Sequence, residues 1–162
     1  MLKVIAKVGD DISTDVIYPG RFMATVLPTE TPQFAFADAP ELNALLKSGA
    51  GKGAAIVGGK NFGCGSSREQ AASCLRGHEL TIVARGFARI FLQNAINLGL
   101  SLVTAPELEA DEGDELVLES GSILNQTTGK RFATVPLPPA RQAIIDAGGL
   151  IPYTRQRLLA GS

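Results

Sequence analysis

Apolar residues fall along this chain in two kinds of run, and each predicts a different element. Short unbroken or alternating stretches rich in β-branched side chains mark strands at 2–8, 54–57, 80–84 and 100–103. Spacings of three and four mark helices. Ala71, Cys74, Leu75 and His78 share one helical face, and Phe87, Ile90, Phe91, Asn94 and Leu98 share another, which Gly99 stops. A shorter helix spans 41–47. Two strand–helix–strand units in succession imply right-handed crossovers and parallel strands. From Asp111 the pattern changes. Residues 115–119 alternate, Gly121 breaks them, and 122–126 and 131–135 flank a Thr-Gly turn at 128–129, which predicts an antiparallel section with one wet face. Pro138-Pro139 opens a helix through Ala147, Gly148-Gly149 stops it, and a last short helix covers 153–159. The expected fold class is α/β: one domain over residues 1–162, with a central, largely parallel sheet, flanking helices and a small antiparallel section.

The periodicity fails in two places. Gly9-Asp10-Asp11 turns the chain, residues 12–23 follow without a repeat, and 24–40 carries Pro28, Pro32 and Pro40, which predicts a mobile loop. The second place lies between the strand at 54–57 and the helix containing Ala71. Glycines at 58, 59, 63 and 65 let a ligand approach the main chain there. Ser66 or Ser67 is a natural N-cap, and a helix N-terminus attracts anions. Arg68 adds a bidentate donor for carboxylate or phosphate. The stretch is an anion site with hydroxyl oxygens in it, although a glycine-rich capped turn also serves as plain structure. It is neither a P-loop nor a dinucleotide fingerprint, because no Lys-Ser or Lys-Thr pair follows the last glycine and the glycines do not follow G-x-G-x-x-G.

Composition narrows the chemistry. A hydrophobic content of 45% suits a well-buried core, and a formal net charge of −1 argues against nucleic acid or an anionic membrane surface as partner. No apolar run approaches the roughly 20 residues that span a bilayer. The first seven residues are too short and interrupted for a signal peptide. Two cysteines, Cys64 and Cys74, make no disulfide framework, so a reducing cytoplasm is expected. One histidine and two cysteines cannot build a usual zinc site or hold an iron–sulfur cluster, so no metal or cofactor is expected in this chain. His78 sits on an apolar stripe, which counts against a serine hydrolase. Cys64 has no histidine nearby to activate it.

The runs Asn-Phe-Gly-Cys-Gly-Ser-Ser-Arg-Glu at 61–69, Ala-Arg-Ile-Phe at 88–91 and Asn-Ala-Ile-Asn-Leu-Gly-Leu at 94–100 resemble one family. It is the 3-isopropylmalate dehydratase small-subunit family, the β/β/α swivel domain of the aconitase superfamily, and the resemblance runs from Gly9 to Tyr153. It implies a hydro-lyase of leucine biosynthesis that isomerises a small dicarboxylic hydroxy acid by dehydration and rehydration. It implies a large partner subunit carrying a [4Fe-4S] cluster. In the family the alkoxide matching Ser66 is the base, Ser67 and Arg68 hold a substrate carboxylate, and Asp15 is an active-site carboxylate. Arg21 is a second cation, and the residues after it, Ala24 among them, face the substrate's variable group. The chain departs from the family at Ser13, where aspartate is commoner, and at Gln70, where histidine is common. Two rivals stand: a relative acting on citramalate, dimethylmalate or a homoaconitate-type acid, and a non-enzymatic anion-binding or regulatory module.

Overall fold

The computed structural model describes residues 1–161, and a single seven-stranded sheet runs through it in the order β4-β3-β2-β1-β5-β6-β7. The strands are β1 Leu2–Lys7, β2 Ala54–Gly58, β3 Thr81–Ala84, β4 Ser101–Thr104, β5 Glu115–Glu119, β6 Ser122–Asn125 and β7 Lys130–Ala133. The first four are parallel to one another, and the last three continue the same sheet antiparallel across β1. The expected antiparallel section is therefore an extension of the central sheet. β2 is an inner strand of the parallel half, and all five of its residues are buried. An unbroken apolar run is what a strand covered on both faces requires.

Six α-helices are present among the described residues: α1 Thr14–Ile17, α2 Pro40–Lys47, α3 Gln70–Arg76, α4 Arg89–Leu98, α5 Pro139–Asp146 and α6 Leu150–Ala160. Each step from β1 to β4 moves one strand in the same direction across the sheet. Right-handed crossovers then carry α1 to α4 onto one face. The alternation of strand side chains divides the core accordingly. Ile56, Ile82 and Ala84 pack with Leu75, Phe91 and Ala95 on the helical face. Val4, Ala55, Val57 and Val83 pack on the other face with Ala105, Leu108, Leu116 and Ile123. α5 and α6 contact α4.

Four expectations change. Residues 24–40 hold a 3-10 helix at Thr31–Phe34, and Thr31, Ala35 and Phe36 are buried, so the segment is packed. α4 buries Phe91, Ala95 and Ile96 while Ile90 is exposed, which turns the expected face by part of a turn. α3 buries Ala71, Cys74 and Leu75 as expected, but it ends before His78, whose Nε2 meets the Pro32 carbonyl at 2.8 Å. Burial pushes the Cys74 thiol well up, so it stays protonated and inert. The last helix begins at Leu150, three residues earlier than its apolar positions suggest.

Candidate active site

Two loops leave the carboxyl ends of the neighbouring parallel strands β1 and β2, and they pair with each other. Gly59 N donates to Gly9 O at 3.1 Å, Asp11 N to Lys60 O at 2.9 Å, Gly63 N to Ile12 O at 2.7 Å and Thr14 N to Cys64 O at 2.7 Å. The carboxyl end of a parallel sheet is where α/β folds gather ligands. Asp10 accepts from Lys60 N at 2.8 Å, and Asp11 accepts from the Asn61 side chain at 3.0 Å. Glycine is required at two places in this zipper. A Cβ on Gly59 would run into the Asp10 carboxylate, and one on Gly63 would run into the Phe91 ring, with φ at +87° besides.

The zipper delivers Ser66 onto α1. Ser66 N donates to Thr14 Oγ1 at 3.1 Å, and the two hydroxyl oxygens lie 3.1 Å apart. Neither Ser66 nor Ser67 caps the following helix: α3 starts at Gln70, and its N-cap, Glu69, makes no side-chain capping bond. The amide of Ser66 is already taken by Thr14, and the helix begins a turn later. With only seven residues α3 contributes little dipole, so the cation of the site is Arg68.

Arg68 is anchored on one side and open on the other. Its Nη1 lies 3.4 Å from Asp15 Oδ1 and donates to the Tyr18 carbonyl at 3.3 Å. Asp15 in turn accepts from Gly20 N at 2.8 Å. No group among the described residues takes up Nε or Nη2 of Arg68, so one edge of the fork remains for an external carboxylate. The structure thus gathers Asp15, Ser66, Ser67 and Arg68. The carbonyl of Ser67 is held by the Asn94 side chain at 3.1 Å.

The stretch after Asp15 forms the rim. Arg21 forks onto Asp38, with Nη1 at 3.1 Å from Oδ2, and lies over the Phe22 ring at 4.6 Å. The pair holds the Asp38 carboxyl below the usual carboxylate range. Tyr18 is fully buried, and its hydroxyl donates to the carbonyls of Phe22 at 3.0 Å and Thr25 at 3.1 Å. Burial pushes the Tyr18 phenol up, so it remains a donor. Gln70 Nε2 donates to the Met23 carbonyl at 3.1 Å, leaving Ala24 exposed within a clamped turn. Gln70 and Ser13, the two departures from the family pattern, both have structural work here. Ser13 caps α1 by accepting from Val16 N at 3.2 Å. Thr14, Tyr18 and the carbonyl contact of Gln70 had no signal in the spacing of residues.

A hollow of about 400 Å³ near Asp10 and Arg85 does not reach Ser66. Its cations are already spent: Lys7 on Asp111, Lys130 on Glu109, and Arg85 on the Leu108 carbonyl. Among the described residues no group of three or more His, Cys, Asp or Glu side chains could hold a metal ion. No helix among them is long and apolar enough to cross a membrane.

An α/β chain with a paired-loop serine and arginine at the carboxyl edge of its parallel strands defines the swivel-domain class. The Aconitase C-terminal domain family matches residues 11–107. The 3-isopropylmalate dehydratase small subunit of Thermodesulfovibrio yellowstonii is 42% identical over 157 residues, covering 94% of this chain and 92% of that one. The subunit of the same name from Oleidesulfovibrio alaskensis is 45% identical over 161 residues, 96% and 94% of the two chains. The isopropylmalate/citramalate isomerase small subunit of Methanocaldococcus jannaschii is 42% identical over 158 residues, 94% and 92%. The crystal structure of 3-isopropylmalate dehydratase from the same archaeon superposes with a TM-score of 0.86 at 35% identity, over 99% of this chain and 96% of that one. The chain belongs to the family of 3-isopropylmalate dehydratase small subunits.

Proposed function

We propose that the chain, as one swivel domain, is the small subunit of a hydro-lyase that interconverts 2- and 3-isopropylmalate for leucine biosynthesis. It works only with a large subunit. The observation that carries the site assignment is the open edge of Arg68 beside an exposed serine hydroxyl, with the rest of the guanidinium fixed by Asp15 and Tyr18. A substrate carboxylate takes Nε and Nη2 of Arg68 and the Ser67 hydroxyl. Ser66 Oγ, as alkoxide, removes the carbon-bound proton. The C–H pair becomes the new double bond as hydroxide departs, and rehydration returns the proton from Ser66 and places hydroxide on the neighbouring carbon. Asp15 holds Arg68 and its own loop in register. Arg21 is a second cation at the rim, one that must leave Asp38 to reach a carboxylate.

Departure of hydroxide calls for a Lewis acid. This chain offers no ligand set for a [4Fe-4S] cluster, and the cluster is assigned to the large subunit. The exposure of Ser66 and Ser67 on an open surface supports the same division, because a buried reaction needs a second wall. Two free cysteines suit a reducing cytoplasm.

The isolated chain should be colourless and inactive, and anaerobic mixing with the cluster-loaded large subunit should give turnover. Ser66→Ala should abolish that turnover while subunit association persists. Its stability cost should be about 1–3 kcal/mol, since the Ser66 amide keeps Thr14 as acceptor while the buried Thr14 hydroxyl loses the partner for its proton. Turnover by the isolated chain would end the two-subunit assignment, and a Ser66→Ala enzyme of near-normal rate would reduce the serine to structure.

A further inference from the structure

We infer that Thr14 is a positioning residue for Ser66: its hydroxyl proton is directed at Ser66 Oγ and favours the anionic form of that oxygen. The inference rests on Ser66 being the base.

Thr14 is only 2% exposed, and its Oγ1 has two contacts, the Ser66 amide and the Ser66 hydroxyl, each at 3.1 Å. A hydroxyl carries one proton and accepts through two lone pairs. An amide can only donate, so the Ser66 N–H occupies an acceptor position of Thr14 Oγ1 in every protonation state. The sole remaining partner in reach among the described residues is Ser66 Oγ. Once Ser66 is deprotonated its oxygen can only accept, and the Thr14 proton must then point to it. The amide on the far side of Oγ1 polarises the hydroxyl in the same sense, and burial strengthens both bonds.

The geometry is held from three directions. Thr14 N donates to the Cys64 carbonyl at 2.7 Å, and Thr14 opens α1 directly after its cap, Ser13. Gly65 has no side chain, and a Cβ there would stand 3.3 Å from Thr14 Oγ1, so glycine leaves room for the loop to settle. The titratable groups on the two segments that meet here are Asp10, Asp11 and Asp15 on the β1 side, and Lys60, Cys64, Arg68 and Glu69 on the β2 side; Asp10 and Asp11 are bonded to Lys60 N and the Asn61 side chain. Asp15 and Arg68 pair with each other, and that pair is common to every variant below.

A buried threonine could also serve only to hold the loop, and titration separates the two roles. In the full chain, Ser66→Cys places a titratable thiol at the same position. With Cys64→Ser as the common background, its alkylation by iodoacetamide, followed against pH at the peptide containing residue 66, reports its apparent pKa without the partner subunit. Adding Thr14→Val, which keeps the shape and loses the hydroxyl, should raise that pKa by about one unit. Adding Thr14→Ser should leave it within a few tenths. In the assembled enzyme with Ser66 intact, Thr14→Val should lower kcat about 10- to 100-fold with KM little changed. The acid limb of its pH profile should move to higher pH, and Thr14→Ser should restore both. Should Thr14→Val fail to fold, Thr14→Ala carries the same comparison. The proposal is overturned if loss of the hydroxyl moves neither the thiol titration nor the acid limb. It is overturned equally if Thr14→Ser rescues neither. A shifted thiol alongside a fully active Ser66→Ala enzyme would instead remove the base, and with it the part of Thr14 in catalysis.

Discussion

A guanidinium has five N–H donors, and among the described residues only one nitrogen of Arg68, Nη1, is committed to the protein's own groups. The partner distances of 3.4 and 3.3 Å are long for charge-assisted bonds, so the anchor orients the fork without neutralising it. Arg68→Lys replaces a planar fork with a point donor, and the ammonium cannot serve Tyr18 and a bidentate carboxylate together. KM for the hydroxy acid in the assembled enzyme should rise about 10- to 100-fold, with a smaller fall in kcat. An unchanged KM would show that the carboxylate binds elsewhere. Residue types and a family resemblance were enough to pick out Ser66, Ser67, Arg68 and Asp15 as candidates. They were not enough for Thr14 or Gln70. Thr14 meets Ser66 across 52 positions of chain, and Gln70 meets Met23 across 47, so nothing local marks either pair.

At the scale of elements, the strands and the longer helices were readable because burial imposes a period on them. β2, the buried face of α3 and the αL stop at Gly99, with φ at +77°, all stand where apolar spacing and glycine put them. The loops were not readable in the same way. Pairing of the segments after β1 and β2 is backbone to backbone and leaves no side-chain signature. It also displaces the start of α3 from the serines to Gln70. Residues 24–40 looked mobile because prolines break periodicity, yet Thr31 Oγ1 lies 3.0 Å from Ser73 Oγ and Phe36 N donates to the Ile17 carbonyl at 2.7 Å. In the antiparallel half a comparable lock is polar. Fully buried Asn125 donates to Asp114 at 2.9 Å and to the Glu109 carbonyl at 3.2 Å, and accepts from the amides of Thr127 and Thr128. The Asn125 amide and the Asp111 N–H hold the Asp114 carboxyl below the usual carboxylate range. A lowered folded pKa means that this stability is complete above the pH at which a free aspartate titrates. It is lost as pH falls from about 4 through the lowered value. Asp114→Asn should therefore be less stable than the parent chain at neutral pH, and the gap should close in chemical unfolding series taken below about pH 4. A gap independent of pH would mean that Asp114 acts by shape alone.

For the molecule as a whole, the edge carrying Ser66 and Ser67 is exposed, and under the proposed function a large subunit closes the pocket over it, so substrate choice depends on what this surface brings to the pocket. The rim at 22–27 brings apolar groups. Met23, Val26 and Leu27 are exposed, and Phe22 stacks on Phe34 at 4.1 Å between centroids. Tyr18 and Gln70 hold the rim by its carbonyls. Those bonds fix where the side chains stand, and no charge enters with them. Arg21, the cation that directly precedes the stretch, is spent on Asp38. A substrate with a second distal carboxylate would have to leave that charge unpaired in a closed cleft, or draw Arg21 away from Asp38, and either costs several kcal/mol. An apolar arm meets no such cost, and small Ala24 leaves it room. In the assembled enzyme kcat/KM should favour isopropylmalate, citramalate or dimethylmalate over homocitrate-type acids by about 100-fold or more. Ala24→Arg should narrow that gap by providing the missing cation. Preference of the unaltered enzyme for the homocitrate-type acid would overturn the apolar assignment of the rim. If the large subunit supplied an arginine to the pocket, Ala24→Arg would leave the ranking where it was, so the two substitution states separate a rim that selects from one that only encloses.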